Sequence, residues 1–368
     1  MTVQELDTPA LLIDQDIMSD NLRFVQEFAN RHGVALRPHT KTHKMPEIAK
    51  LQVAGGACGI AVAKVGEAEE MAKNGLTDIF IANEIVGRSK WERIRLLAEK
   101  ISVSFGIDTP CQVTGIEEVF AFSDCPAEVL IEIEVGENRS GIIEESSFFE
   151  LLDTIKDCPH VHLKGLFSHD GNTYASGDIA ECRSISIAAQ ERTLHFAALA
   201  RAKGFPCEVI SYGATPTIMN DVPILEGITE LRLGTYIFMD ASQGHAIGTL
   251  ERCAATVLAT VISRPTSERV ILDVGAKGLT MQTRTEGICA VPGRGTLLDD
   301  PEIHIEKMFD EHAIINDRRF REQISVGDKV RIIPVHICPV CNLYDTAWLI
   351  SGQQVIKKLP ISCRGKLT

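Results

Sequence analysis

Two short stretches of the chain carry residue types that can do chemistry. The first, Ala35-Leu36-Arg37-Pro38-His39-Thr40-Lys41-Thr42-His43-Lys44, starts like a buried strand and then fills with cations. On a strand, Arg37, His39 and Lys41 share one face while Leu36, Pro38 and Thr40 share the other. If the apolar face packs on a helix, the cationic face looks into a cavity. Lys41 is then a cavity amine, fit to form a Schiff base or to act as a general base, and Lys44, at opposite parity, is not. The competing reading is a solvated strand end beside an acidic partner.

The second stretch is Pro334-Val335-His336-Ile337-Cys338-Pro339-Val340-Cys341. Read as a strand, it points His336 and Cys338 to one face, as two ligands of one divalent ion require. Cys338 and Cys341 also have the spacing of a redox pair, but no thioredoxin-like βαβ context surrounds them. A four-ligand structural zinc site needs a second such pair, and none has that spacing. An incomplete protein ligand set leaves coordination positions open, as catalytic metals need. A His and a Cys buried in a β-core remain the alternative. Asp310-Glu311-His312 offers one more histidine to this site.

These stretches need elements to position them, and the hydrophobic periodicity supplies a regular set. A strand is expected from Ala10 to Ile13, then a helix on which Leu22, Val25, Phe28 and Ala29 recur, closed at Gly33. Further strands are expected at 35–40, 57–63, 78–82, 101–106, 128–135, 162–168, 207–212 and 231–238, with helical segments between most of them. Pro46 stands where a first-turn proline belongs, and the helix over 65–74 stops at Gly75. Eight such units are the size of a (β/α)8 barrel. An open doubly wound sheet shares the alternation, but no G-x-G-x-x-G turn follows the first strand. Beyond about residue 248, short alternating runs at 256–263, 269–273, 328–337, 346–351 and 353–357 describe an all-β module with a hairpin at Ser351-Gly352-Gln353. The expected organisation is an α/β chain: a TIM-like barrel over 14–247 and a β-domain built from 1–13 and 248–368.

A barrel's chemistry sits at the C-terminal ends of its strands. Those ends read Lys41, Asn83 with Glu84, Asp108, Arg139, His169, Ser211 to Thr217, and Arg232 to Tyr236. Any one could be a solvated loop residue; their recurrence after nearly every strand is harder to dismiss. The loops after strands seven and eight are the usual phosphate cradle of a barrel, and here they read Ser-Tyr-Gly-Ala-Thr-Pro-Thr and Arg-Leu-Gly-Thr-Tyr. Glycines let backbone N–H groups approach a phosphate, and Ser211, Thr215 and Thr217 add hydroxyls. A phosphate site facing a lone lysine across a barrel mouth suggests pyridoxal 5′-phosphate, whose aldehyde needs an amine and whose phosphate needs an anchor opposite.

The bulk numbers exclude some classes. A net charge of −13 over 368 residues argues against nucleic acid or an anionic membrane as the main partner, but does not reveal the small-molecule substrate, because local charge can oppose net charge. The N-terminus lacks the basic start and apolar run of a signal peptide, and no stretch approaches the ~18 apolar residues of a membrane span. The eleven cysteines are odd in number and scattered through apolar segments, the pattern of reduced thiols in a cytoplasmic protein.

The motifs DTPALLIDQDIMSDNL, RPHTKTHK, AKVGEAE, ANEIVG, GENRSG, SHDGNTY, SYGATPT, LRLGTYIFMD, DEHA and HICPVCNLYD occur in one order from end to end. In these the chain resembles the pyridoxal-phosphate enzymes with an alanine racemase-like barrel (fold type III) and, more narrowly, the metal-dependent D-threonine aldolase and D-serine dehydratase family. The resemblance implies that Lys41 binds the cofactor's aldehyde. It further implies that Arg139 contacts the cofactor's phenolic oxygen and that Arg232 faces its ring nitrogen. His169 and Tyr174 match residues of the pocket wall, with Tyr174 also a candidate catalytic group. Ser211, Gly213, Thr215, Gly234, Thr235 and Tyr236 match the phosphate side. His336 and Cys338 match the metal pair, for zinc or manganese, and His312 a metal-side base. Aldolases of the family tend to carry H-x-D at the metal pair and dehydratases H-x-C. The chain therefore reads first as a D-serine/D-threonine dehydratase, forming a 2-oxo acid and ammonia. D-threonine aldolase is the alternative, ahead of an amino-acid racemase or a non-catalytic cofactor-binding protein. Arg37 and His39 are expected to lower the pKa of Lys41. Family likeness also implies a homodimer.

Overall fold

The computed structural model describes residues 1–368. Its first strand, β1 (Ala10–Asp14), is fully buried, and Asp14 caps the following helix, Gln15–Arg31, by accepting from the amides of Asp16 and Ile17. Eight parallel strands then alternate with helices: β2 (Ala35–Leu36), β3 (Ile60–Val62), β4 (Asp78–Glu84), β5 (Ser102–Ile107), β6 (Ala127–Glu132), β7 (Val161–Phe167), β8 (Val209–Tyr212) and β9 (Glu230–Leu231). They lie in the order β2-β9-β8-β7-β6-β5-β4-β3. Backbone bonds from Cys58 to Leu36, from Ala61 to Pro38 and from Thr40 to Ala61 join the two ends of that path. The result is the TIM-like barrel expected from the alternation.

Strand parity decides what fills it. Ile79 and Ile81 of β4 join the large apolar core, while Phe80 packs with Ala61, Leu130 and Phe167 in a separate small cluster. The Phe80 and Phe167 rings meet edge to face at 5.1 Å between centroids. A second plug uses charge: Arg37 is buried, with Nε 2.7 Å from Glu230 and Nη1 2.6 Å from Asp78, at the start of β9 and of β4. Arg37 is therefore neutralised at the N-terminal end of the barrel, and its charge is not aimed at Lys41 as the alternation had implied.

The remaining strands, β10 (Ala255–Ser263), β11 (Arg269–Leu272), β12 (Thr296–Leu297), β13 (Lys307–Met308), β14 (Ala313–Asn316), β15 (Lys329–Ile333), β16 (Thr346–Ser351) and β17 (Gln354–Pro360), form the second sheet. β1 belongs to it, antiparallel to β10 and parallel to β16, so the chain starts in the β-sheet, builds the barrel and returns. Three strand readings need correction. Extended pairing over 35–40 shrinks to β2 plus one bridge at His39, because Thr40 opens a turn held by the Lys44 amide on its carbonyl. The run 231–238 leaves the strand after Leu231 and coils into a 3-10 turn over Thr235–Ile237. The run 328–337 stops at Ile333, and His336 caps a short helix, Ile337–Cys341. No helix is long and apolar enough to cross a membrane.

Candidate active site

A cavity of about 260 Å³ opens at the C-terminal ends of the barrel strands. Lys41 reaches it from the turn after the His39 bridge, where its amide lies 3.3 Å from His39 Nδ1. Arg139, His169, Tyr174, Gly213, Thr215, Arg232, Gly234 and Thr235 line the same space. So these residues, Tyr174 expected from the resemblance and the others from the strand ends, gather around the amine.

Lys41 forms no ion pair. Burial holds its pKa below the usual lysine value; Arg139 and Arg232 add to this, while Cys338 and Glu137 oppose them. The two cations that matter are thus on the far wall, not Arg37. His39 and His169 are both held neutral, with pKa values well below the usual histidine value, by burial and by the Lys41, Arg139 and Arg232 charges. Arg232 donates through Nη2 to the Ser168 carbonyl (2.7 Å) and stacks on Phe167 and Phe80 at 5.2 and 5.8 Å from their centroids. Its Nε is buried without a partner.

Carboxylates back Arg139. Glu132, at the end of β6, accepts from Arg139 (3.2 Å) and from Ser140 Oγ (2.7 Å). Beside it, burial and the hydrogen bond with Glu132 push the Glu84 carboxyl up to about 9, while Glu132 stays below the usual carboxylate value. The pair shares one proton at neutral pH, with Glu84 the donor. Sequence reasoning placed Glu84 at a strand end without a role and passed over Glu132. The signal was present: Leu130 and Glu132 share the inward parity of β6, and a carboxylate on that face cannot be solvated.

On the phosphate side, the amides of Gly213, Ala214 and Gly234 find no acceptor within the chain. A Cβ on Gly234 would lie 2.8 Å from the His39 carbonyl and 2.9 Å from Thr42 Oγ1. Gly213 has φ +128°, a conformation glycine tolerates and L-residues rarely adopt. Ser211 Oγ is buried without a partner, although Ser211 does not line the cavity. Unpaired amides around a glycine cradle, opposite a cavity amine, fit the phosphate and aldehyde of pyridoxal phosphate. Tyr236 does not belong here: its hydroxyl is buried against Gln52 (3.0 Å), which also contacts His43 (3.2 Å).

His336 and Cys338 adjoin the cavity without strand geometry. Asp240 fixes their helix, accepting from the amides of Ile337 (3.0 Å) and Gln243 (2.9 Å). The Cys338 thiol donates to Thr42 Oγ1 (3.2 Å), one residue from Lys41, and lies 3.6 Å from Thr235 Oγ1. His336 is neutral, pushed down to about 4 by burial. An imidazole with a thiol suits a zinc-like ion, but no set of three His, Cys, Asp or Glu side chains is arranged as a metal cage. Cys341 is fully buried behind them, and none of the eleven cysteines is disulfide-bonded. His312 stands apart: it is exposed on the turn between β13 and β14, near Met281 and Phe309, and does not line the cavity.

Comparison with known proteins places this architecture. Residues 13–242 match the family "Alanine racemase, N-terminal domain", and residues 254–350 match the "Putative serine dehydratase domain". A D-threonine aldolase from Arthrobacter sp. is 33% identical over 98% of this chain and 93% of its own length. The crystal structure of D-threonine aldolase from Filomicrobium marinum superposes with a TM-score of 0.89 at 29% identity, covering 100% of this chain and 98% of that one. D-threo-3-hydroxyaspartate dehydratase from Delftia sp. HT23 superposes at 0.91 with 27% identity, covering 98% of each. The fold and site define an alanine racemase-like barrel with a serine dehydratase-type β-domain. The chain belongs to the D-threonine aldolase and D-serine dehydratase family of fold type III, a family of pyridoxal-phosphate-dependent lyases.

Proposed function

We propose that the protein is a pyridoxal-phosphate- and divalent-metal-dependent lyase of β-hydroxy D-amino acids, acting first as a D-serine/D-threonine dehydratase. The observation that carries this reading is that an unpaired amine, Lys41, and a cradle of free amides at Gly213 and Gly234 line one cavity, with the His336/Cys338 pair adjoining it through the Cys338 contact to Thr42. Lys41 would hold the cofactor's aldehyde; Gly213, Thr215, Gly234 and Thr235 would hold its phosphate; Arg139, His169, Tyr174 and Arg232 would wall its ring. The cofactor supplies an electron sink for charge developing at the substrate's Cα. His336 and Cys338 would hold the metal, a Lewis acid for the departing β-hydroxyl.

The chain's own groups handle the protons. Lys41 Nζ, its pKa lowered by burial and by Arg139 and Arg232, keeps a neutral fraction able to take the α-proton. His39 and His169, already neutral, add no positive charge beside it. Burial pushes the Tyr174 hydroxyl well above the usual tyrosine value, so it is a hydrogen-bond donor at neutral pH. Loss of the β-hydroxyl leaves an enamine, which hydrolyses to a 2-oxo acid and ammonia.

The choice of elimination follows the ligand types. Solved forms of a D-threo-3-hydroxyaspartate dehydratase include a cysteine-to-alanine variant in a metal-free form and a histidine-to-alanine variant two positions earlier, the spacing of His336 and Cys338. The second reading, D-threonine aldolase, rests on the identity to the Arthrobacter enzyme. His312 does not line the cavity of its own chain, so a metal-side role for it goes with the homodimer that the family likeness implies. The deciding experiment incubates cofactor-loaded protein with D-serine and D-threonine, with zinc or manganese and with chelator. Metal-dependent 2-oxo acid and ammonia support the dehydratase; glycine plus aldehyde overturn it in favour of the aldolase.

A further inference from the structure

The arginines around the cavity are all committed except one. Arg139 is shared between Glu132 and Glu137, each 3.2 Å away. Arg232 is buried against the Ser168 carbonyl and two phenyl rings. Arg284, which no sequence pattern singled out, is half-buried yet enters no ion pair. Its Nη2 donates to His336 Nδ1 at 3.0 Å, its guanidinium lies 4.8 Å from the centroid of the Tyr174 ring, and its Nε is buried with no partner.

The loop that carries Arg284 is fixed against the cavity wall. The Ile288 amide donates to the Ser176 carbonyl (2.7 Å), and the Cys289 amide to that of Tyr174 (3.4 Å). At Gly287, with φ +66°, a Cβ would lie 2.3 Å from the Ala175 backbone, so the β-domain loop presses directly on the segment that bears Tyr174. A guanidinium held there, partly desolvated and without a counter-ion, is unfavourable unless an anion completes it. Its planar fork matches a carboxylate with two parallel N–H donors.

We propose that Arg284 is the residue that captures the substrate's α-carboxylate, between Tyr174 and the His336/Cys338 pair. This inference rests on the lyase reading above, because every β-hydroxy amino acid carries that carboxylate and the cofactor's phosphate has its own cradle. Arg284 thereby orients the substrate so that its β-substituents face the metal side.

The test removes the carboxylate from either partner. Cofactor-loaded wild type, R284K and R284M are titrated with D-serine and with ethanolamine, which keeps the amine and hydroxyl but lacks the carboxylate, and binding is read from the cofactor's absorbance. R284M is expected to bind D-serine about tenfold or more weakly, with ethanolamine unchanged and R284K intermediate. Equal discrimination between the ligands in wild type and R284M, or an equal loss for both, overturns the proposal while leaving the lyase reading intact. Wild-type protein whose absorbance responds to neither ligand overturns both. Circular dichroism checks folding, and R284Q replaces R284M if the latter does not fold.

Discussion

Lys41 and Lys44 stand three residues apart in one turn, yet only one of them is neutralised. Lys44, with φ +57°, swings its ammonium 2.8 Å from Glu67 in the core, whereas Lys41 meets no carboxylate and lines the cavity. Substitutions should separate the two roles. Lys41→Ala is expected to abolish the Schiff-base absorbance of protein mixed with pyridoxal phosphate while leaving the melting temperature nearly unchanged. Lys44→Met should keep the absorbance and lose stability by about 3 kcal/mol, since it strands Glu67 as a buried charge. Absorbance retained in K41A would move the cofactor lysine to Lys44.

Gly234 is a second point where backbone shape and cofactor binding coincide. In Gly234→Ala the new methyl meets the His39 carbonyl and Thr42 Oγ1, and the His39 amide is itself bonded to Leu233 (3.0 Å). The cradle and the Lys41 turn must then move apart. We expect cofactor affinity to fall about tenfold or more, measured by absorbance titration, with a stability cost of about 1–3 kcal/mol in a denaturant melt. Unchanged affinity would show that the phosphate is bound elsewhere.

How much of this was legible in the sequence depended on whether a residue's role followed from its place in a regular element. Arg139, His169, Gly213 and Arg232 sit where apolar strands end, so topology alone brought them together. The parity argument put Lys41 rather than Lys44 at the cavity, and the fold does so for a partly different reason: the strand stops at Leu36, and the turn after His39 delivers Lys41. The same argument misassigned Arg37, because the inward face of a strand runs the length of the barrel and Arg37 lies below the aromatic layer, where Glu230 and Asp78 take its charge. His336 and Cys338 converge through a helix cap held by Asp240, a contact 97 residues apart that no local pattern encodes. Arg284 lies in an irregular loop, where neither period applies.

The Glu84–Glu132 pair gives the protein a pH signature. Glu84 in the fold titrates near 9, against about 4.5 when unfolded, so the native state binds the extra proton between those values and stability falls as pH rises through that window. Glu132 is shifted the other way, and its contribution is lost only as pH falls below the usual carboxylate range. Glu84→Gln keeps the hydrogen bond to Glu132 and cannot ionise. Its melting temperature relative to wild type should therefore rise steadily between pH 5 and pH 9, roughly the span between the two values. Parallel curves for the two proteins would mean that the carboxyls do not share a proton.

Metal binding tests the one part of the site that rests on two ligands. Cys338 holds its thiol toward Thr42, and His336 Nδ1 accepts from Arg284, so an ion taking that lone pair displaces the guanidinium, draws its other protein donor from Cys338 and finds its remaining positions in water or substrate. Cys341, three residues on, is fully buried in the apolar core, where its thiol is pushed well above the usual cysteine value. Chelated wild-type protein should therefore recover close to one equivalent of zinc on titration. Cys338→Ala and His336→Ala should each weaken binding at least about tenfold, as loss of one of two protein ligands demands, while Cys341→Ala should not. All three variants should keep the cofactor absorbance, because none of these side chains lines the Lys41 cavity. Zinc lost from C341A and retained in C338A would place the metal on the far side of the helix and detach it from the reaction.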